Sequence, residues 1–127
     1  PMSKLDSFKT PFIESLSNCR LYVADHLSTS YAEALACNKP TILFWSPDDN
    51  PLMADAEQYF ELLRNVGVLF DCPEAAADAV NYVYDDVEAW WNAAKRQDAV
   101  KLFREKFLGY SLRAENIWLE ELKRVAL

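Results

Sequence analysis

One short segment of the chain, residues 25–35, concentrates side chains that could do chemistry. It holds an acid, the only histidine, three hydroxyls and a second acid: Asp25, His26, Ser28, Thr29, Ser30 and Glu33. Hydroxyls beside the unpaired N–H groups of a helix start can bind a phosphate or diphosphate. A carboxylate can accept hydrogen bonds from sugar hydroxyls, and an imidazole can donate to phosphate or act as a general base. The segment is therefore a candidate site for a phosphorylated, hydroxyl-rich ligand, with His26 as its candidate catalytic residue.

The same residues also have a purely structural interpretation. Serine and threonine are common at helix N-caps, and Ser30 with Glu33 matches a capping box. A single histidine is often structural, and Asp25 could simply end a strand. Taken alone, the hydroxyls fit the structural interpretation slightly better, whereas the density of polar groups at one strand end favours a ligand. Both interpretations stay open at this point.

Apolar periodicity predicts alternating helices and short strands around this segment. The strands are predicted over residues 20–25, 41–45 and 68–70. Four helices are predicted over residues 11–18, 28–37, 87–108 and 111–127. Two further helices are predicted, one that starts at Asn50–Pro51 and ends at Gly67 and one from Pro73 through Val83. This alternation predicts a parallel sheet with helices on its faces, that is, a three-layer Rossmann-like α/β fold with additional C-terminal helices. Ligands bind such sheets beyond the carboxyl ends of the strands, where the segment 25–33 lies.

Size and composition restrict the function classes. The 127 residues fit one domain, predicted over 11–127 after a flexible segment over 1–10. Two glycines exclude a glycine-rich phosphate loop, and a net charge of −7 argues against nucleic acid as a partner. No apolar run approaches the roughly 20 residues that span a bilayer. Three cysteines without a paired motif predict reduced thiols and a cytoplasmic location, and we predict no metal site and no cofactor.

The run from Leu21 to Trp45 resembles the C-terminal, donor-binding domain of GT-B glycosyltransferases. It is most similar to a bacterial family of surface-carbohydrate transferases linked to spore-coat or lipopolysaccharide-type polysaccharides. In that family a strand, a Ser-Thr-rich turn, Tyr-x-Glu and an Asn-x-Pro-Thr-Ile strand ending in Phe-Trp follow in the order seen here. The similarity continues through residues 55–65 and 66–69 to Trp90-Trp91-Asn92.

The resemblance implies a nucleotide-sugar donor as ligand. Ser28, Thr29 and Ser30 would hold its diphosphate, and Glu33 would bind ribose or sugar hydroxyls. His26 departs from the family pattern, and no Arg or Lys faces the diphosphate, since Lys39 follows the helix at the opposite edge of the sheet.

Complete enzymes of this type place a second domain opposite the donor site. We therefore expect the chain to be part of a larger two-domain transferase, inactive alone, whose carbohydrate or lipid-linked acceptor binds through a facing N-terminal domain. Two alternatives stay open: a nucleotide-sugar epimerase of the same fold, and a non-catalytic interaction module that forms homo-oligomers through its Trp-rich helices.

Overall fold

The fold is a three-stranded parallel sheet with helices between and after its strands. The computed structural model describes residues 4, 5, 7, 9–26, 29–48 and 54–108. Its elements are, in chain order, α1 (Phe12–Asn18), β1 (Tyr22–Ala24), α2 (Thr29–Ala36), β2 (Thr41–Phe44), α3 (Ala54–Asn65), β3 (Leu69–Phe70), α4 (Pro73–Val83), α5 (Val87–Trp91), α6 (Ala94–Phe103) and a π-helical turn (Arg104–Leu108).

The strands lie in the order β1-β2-β3, and both neighbouring pairs are parallel. Val23 pairs with Ile42, and Leu43 pairs with Leu69. Ile42 and Leu43 are fully buried, because a central parallel strand is covered on both faces. The predicted parallel sheet is thus confirmed for these three strands.

Helices pack against both faces of β2. Leu43 faces the larger core cluster, where it lies with Leu35 of α2 and Leu63 of α3. Ile42 points the other way, into a smaller cluster with Ala76 of α4, as expected from the two-residue period of a strand. This arrangement confirms a mixed α/β fold, while the complete three-layer Rossmann fold stays a prediction.

Several predicted turns and helix ends are confirmed. Asn38, after α2, adopts a left-handed φ of 53°, and Gly67, after α3, adopts a φ of 72°. Glycine and asparagine tolerate this conformation and so end helices frequently. Pro73 stands at the first position of α4 as predicted, where its missing N–H costs nothing. These ends place the start of β2 and β3 directly after α2 and α3.

The prediction of one helix over 87–108 is wrong, because the structure divides this range into α5, α6 and the π-helical turn. The chain leaves the helical conformation at Ala93, where ψ is 132°. Side chains replace the helical donors at this break: Gln97 Nε2 donates to the Trp91 carbonyl at 2.8 Å, and Arg96 donates to the Trp90 carbonyl. Tertiary contacts therefore end α5 where the local sequence favours continuation.

Other predictions fall on parts of the chain that the structure does not describe. They are the Asn50–Pro51 helix start and the helix over 111–127. Lys4, Leu5, Ser7, Lys9 and Thr10 are described, and they belong to no helix or strand. Among the described residues, no helix combines the length and apolar composition needed to cross a membrane.

Candidate functional site

The candidate site lies where β1 ends and α2 begins, at the carboxyl-terminal edge of the parallel sheet. Asp25 directly follows β1, and His26 is next to it. Thr29 is the first residue of α2 and Ser30 the second. Glu33 is on the following turn of the same helix. The structure thus brings together the sequence-predicted residues at the predicted strand end, except Ser28, which lies outside the described residues.

Helix α2 is held in place by its buried face. Ala34 and Leu35 are fully buried. Tyr31 lies edge-on to Trp45, with 6.5 Å between ring centroids, and its burial raises its pKa. Trp45 in turn contacts Phe60 of α3 edge-on at 5.8 Å, an arrangement that aromatic pairs favour. These contacts tie the start of α2 to β2 and α3.

Thr29 and Glu33 share the exposed face of α2. They stand four residues apart, and side chains with this spacing are neighbours on a helix surface. Both are solvent-exposed. A ligand above the start of the helix could therefore meet a hydroxyl donor, the first backbone N–H groups and a carboxylate acceptor together.

Ser30 has a partner that the sequence did not predict. Its side chain lies close to the hydroxyl of Tyr22 on β1. Burial raises the pKa of Tyr22, hydrogen bonding with Ser30 acts in the opposite direction, and the charges of Asp25 and Glu33 raise it further. Because α2 begins at Thr29, Ser30 lies inside the helix and does not serve as the N-cap of a Ser30–Glu33 capping box. The two-residue period of β1, which turns Tyr22 to the same face as the buried Ala24, could have identified this contact.

His26 is hydrogen-bonded to its neighbour. Its Nδ1 lies 2.6 Å from Oδ1 of Asp25, and the two side chains are 64% and 68% exposed. The hydrogen bond to His26 lowers the pKa of Asp25. Sequence reasoning named His26 and noted Asp25 only as a strand end, although their adjacency was visible.

The segment after β2 has few described polar residues at the carboxyl-terminal edge of the sheet. Ser46 is half-buried, Asp48 is exposed, and Asp49 lies outside the described residues. The residues 21–38 and 45–55 contain no Lys or Arg. Lys39 lies at the start of β2, as predicted, and its Nζ is 3.4 Å from the Ser17 carbonyl oxygen. Among the described residues, no group of three or more His, Cys, Asp or Glu side chains could hold a metal ion.

A cleft of about 460 Å³ opens at the opposite, amino-terminal edge of the sheet. Arg20 and Lys39, which precede β1 and β2, line it together with Trp91. Several of its polar groups are hydrogen-bonded: Arg20 Nη2 donates to the Tyr84 carbonyl at 2.7 Å, and Trp91 Nε1 donates to the Asn38 carbonyl at 3.0 Å. This cleft is concave and contains bonds that stabilise the fold, whereas the side chains of Thr29 and Glu33, after β1, are exposed to solvent.

Comparison with known proteins identifies a family. A family model described as LIC12162 family transferase matches residues 1–122, which is almost the whole chain. No curated protein and no solved structure shows significant similarity to the chain.

Proposed function

The chain belongs to the LIC12162 family of transferases, and on that premise we propose that it carries the nucleotide-sugar donor site of a GT-B-type glycosyltransferase that builds bacterial surface polysaccharide. The observation that carries the proposal is the position of Thr29, Ser30 and Glu33 on the first turns of α2, directly beyond a parallel strand. Parallel sheets bind nucleotides at this edge, and a helix N-terminus attracts phosphate.

The groups at the start of α2 have separate roles in this proposal. The exposed Thr29 hydroxyl and the N–H groups that begin α2 bind the diphosphate. Glu33, one turn further along the same exposed face, accepts hydrogen bonds from ribose or sugar hydroxyls. Ser30 lies close to Tyr22, so we assign it to holding α2 against β1 as well as to the diphosphate.

The reaction needs an acceptor, which we propose binds a facing domain. The donor site is open in the described residues: Asp25, His26, Thr29 and Glu33 are all exposed. A second domain over this edge would exclude water and bring the acceptor hydroxyl to the donor. We also propose a cytoplasmic location, which the three free thiols, Cys19, Cys37 and Cys72, support.

The first test is binding of a nucleoside diphosphate by the ¹⁵N-labelled chain. UDP, GDP and dTDP are titrated in turn while amide signals are followed by NMR. We expect one of them to shift the signals of His26, Thr29, Ser30 and Glu33, because these residues lie around the proposed position of the nucleotide. If none of the three shifts these signals, in this chain or with a facing domain attached, the proposal is wrong.

Two substitutions test the roles. Thr29→Ala and Glu33→Gln should each weaken binding of the nucleotide or nucleotide sugar by roughly tenfold, as expected for the loss of one hydrogen bond to a charged partner. Glu57→Gln is the matched control, because Glu57 is an exposed glutamate in α3. Equal affinities of Glu33→Gln and Glu57→Gln for the nucleotide or nucleotide sugar would show that Glu33 does not contribute to binding. A change of sugar configuration without an acceptor would instead identify the epimerase alternative.

A further inference from the structure

The pairing of Asp25 with His26 determines which imidazole nitrogen is free. Nδ1 of His26 is 2.6 Å from Oδ1 of Asp25. An ionised carboxylate can only accept a hydrogen bond, so Nδ1 must carry the proton that is shared. Nε2 is then the nitrogen left for another partner, since the bond made by one ring nitrogen sets the state of the other.

The charges around the site indicate what Nε2 of His26 would bind. Within the segments that leave β1 and β2, residues 25–33 and 45–55, no Lys or Arg is present, whereas Asp25 and Glu33 are negative. A diphosphate at the start of α2 adds further negative charge, which the helix dipole offsets only in part. His26 is the one side chain of these segments that can become a cation.

We infer that Asp25 is a positioning residue: it holds His26 through Nδ1 and directs Nε2, as the protonated donor, to a diphosphate oxygen at the start of α2. The inference rests on the proposed function for the identity of this ligand. In it, the imidazolium takes the place that Lys or Arg would occupy, and its Nε2–H forms a charge-assisted hydrogen bond to the diphosphate. The same contact stabilises the charge that develops on the diphosphate as it leaves the sugar.

The tautomer can be measured without any ligand or activity. His26 is the only histidine, so its side-chain signals in a ¹H–¹⁵N multiple-bond spectrum need no assignment. At the high-pH end of its titration, where the ring is neutral, we expect the proton on Nδ1. Asp25→Asn should shift the population toward the Nε2–H form, because the amide can turn and donate to Nδ1. Asp25→Glu should restore the Nδ1–H form at least in part.

Asp78→Asn is the matched control, because Asp78 is an exposed aspartate on α4. It removes the same charge and should leave the His26 spectrum unchanged. A proton on Nε2 in the unsubstituted chain would overturn the inference. So would an Asp25→Asn spectrum identical to that of the unsubstituted chain.

The second measurement separates this inference from the proposed function. The nucleotide found in the NMR titration, UDP, GDP or dTDP, is added to the unsubstituted chain and to Asp25→Asn. We expect the Nε2 signal to shift on binding, and Asp25→Asn to weaken binding roughly threefold to tenfold, as for one exposed charge-assisted hydrogen bond. Amide shifts at Thr29 and Glu33 without an Nε2 shift would overturn the inference and keep the donor site. If no nucleotide binds, the proposed function fails, while the tautomer measurement still decides the role of Asp25.

Discussion

At the amino-terminal edge of the sheet, several polar side chains bond to one another and to the backbone, whereas at the carboxyl-terminal edge most of the described polar side chains are exposed to solvent. Asn38, Trp91 and Gln97 form the clearest example of the first kind. Trp91 Nε1 donates to the carbonyl and the side-chain oxygen of Asn38, at 3.0 and 3.2 Å, and Asn38 Nδ2 donates to Gln97 Oε1 at 3.1 Å. Trp91 is 2% exposed.

The described part of the carboxyl-terminal edge has such a bond between Asp25 and His26, and Ser30 lies close to Tyr22. Thr29 and Glu33 remain exposed there. Buried hydrogen-bonded groups specify a structure, while exposed groups with unused donors and acceptors are available to a ligand. Cavity volume and exposed polar groups thus point to different edges of the sheet. Substitutions should therefore affect stability at one edge and binding at the other.

The largest effect is expected for Trp91→Ala. It removes a buried aromatic ring and leaves Asn38 without its indole donor, so we expect a loss of about 3–5 kcal/mol in the free energy of unfolding. Urea unfolding followed by circular dichroism measures it. Trp90→Ala is the adjacent control: Trp90 is only half-buried, and its loss should cost less.

The same unfolding experiment on Glu33→Gln tests the carboxyl-terminal edge of the sheet. A change within about 0.5 kcal/mol is expected, as for exposed residues that make no structural bond. A Trp91→Ala chain as stable as the unsubstituted one, or a strongly destabilised Glu33→Gln chain, would break the distinction between the two edges.

Asn38 should give the next largest effect, and it separates backbone from side-chain contributions. Asn38→Ala loses the side-chain hydrogen bonds to Trp91 and Gln97, keeps the backbone carbonyl that accepts from Trp91 Nε1, and places alanine at a φ of 53°, so about 1–3 kcal/mol of stability should be lost. Asn38→Gly loses the same bonds, but glycine adopts this φ without strain and should therefore cost less. The reverse order of the two variants in urea unfolding would show that the left-handed backbone contributes nothing.

The carboxyl-terminal edge was accessible from the sequence because local signals define it. An apolar run that ends in Asp25, a polar turn and a helix start at Thr29 occur within a few consecutive residues. Each signal depends on near neighbours: strand alternation, helix-start chemistry and the left-handed residue Asn38 that ends α2. The structure agrees with these expectations to within one or two residues, the usual uncertainty of element ends.

The amino-terminal edge could not be predicted in the same way. Its contacts join Asn38 to residues 53 and 59 positions further along the chain. No proline or glycine marks the break between α5 and α6 in the sequence. The break depends on hydrogen bonds from the side chains of Arg96 and Gln97 to the carbonyls of Trp90 and Trp91. Such long-range side-chain bonds leave no periodic signal.

The smallest expected effect is the titration of Asp25, which tests whether the carboxyl-terminal edge has any structural tie of its own. The hydrogen bond to His26 lowers the pKa of Asp25, so the folded chain keeps this carboxylate ionised at lower pH than the unfolded chain does. The pair therefore adds stability above about pH 4, and this contribution is lost as the pH falls through the folded pKa. Because both side chains are exposed, solvent screens the pair, and the effect is better read from the ¹³C signal of the Asp25 carboxyl than from unfolding. His26→Ala should move the midpoint up toward the ordinary aspartate value, while Asn81→Ala on α4 should leave the curve unchanged. An unchanged midpoint in His26→Ala would mean that the pair does not persist in solution, and the carboxyl-terminal edge would then be still more open than the structure shows.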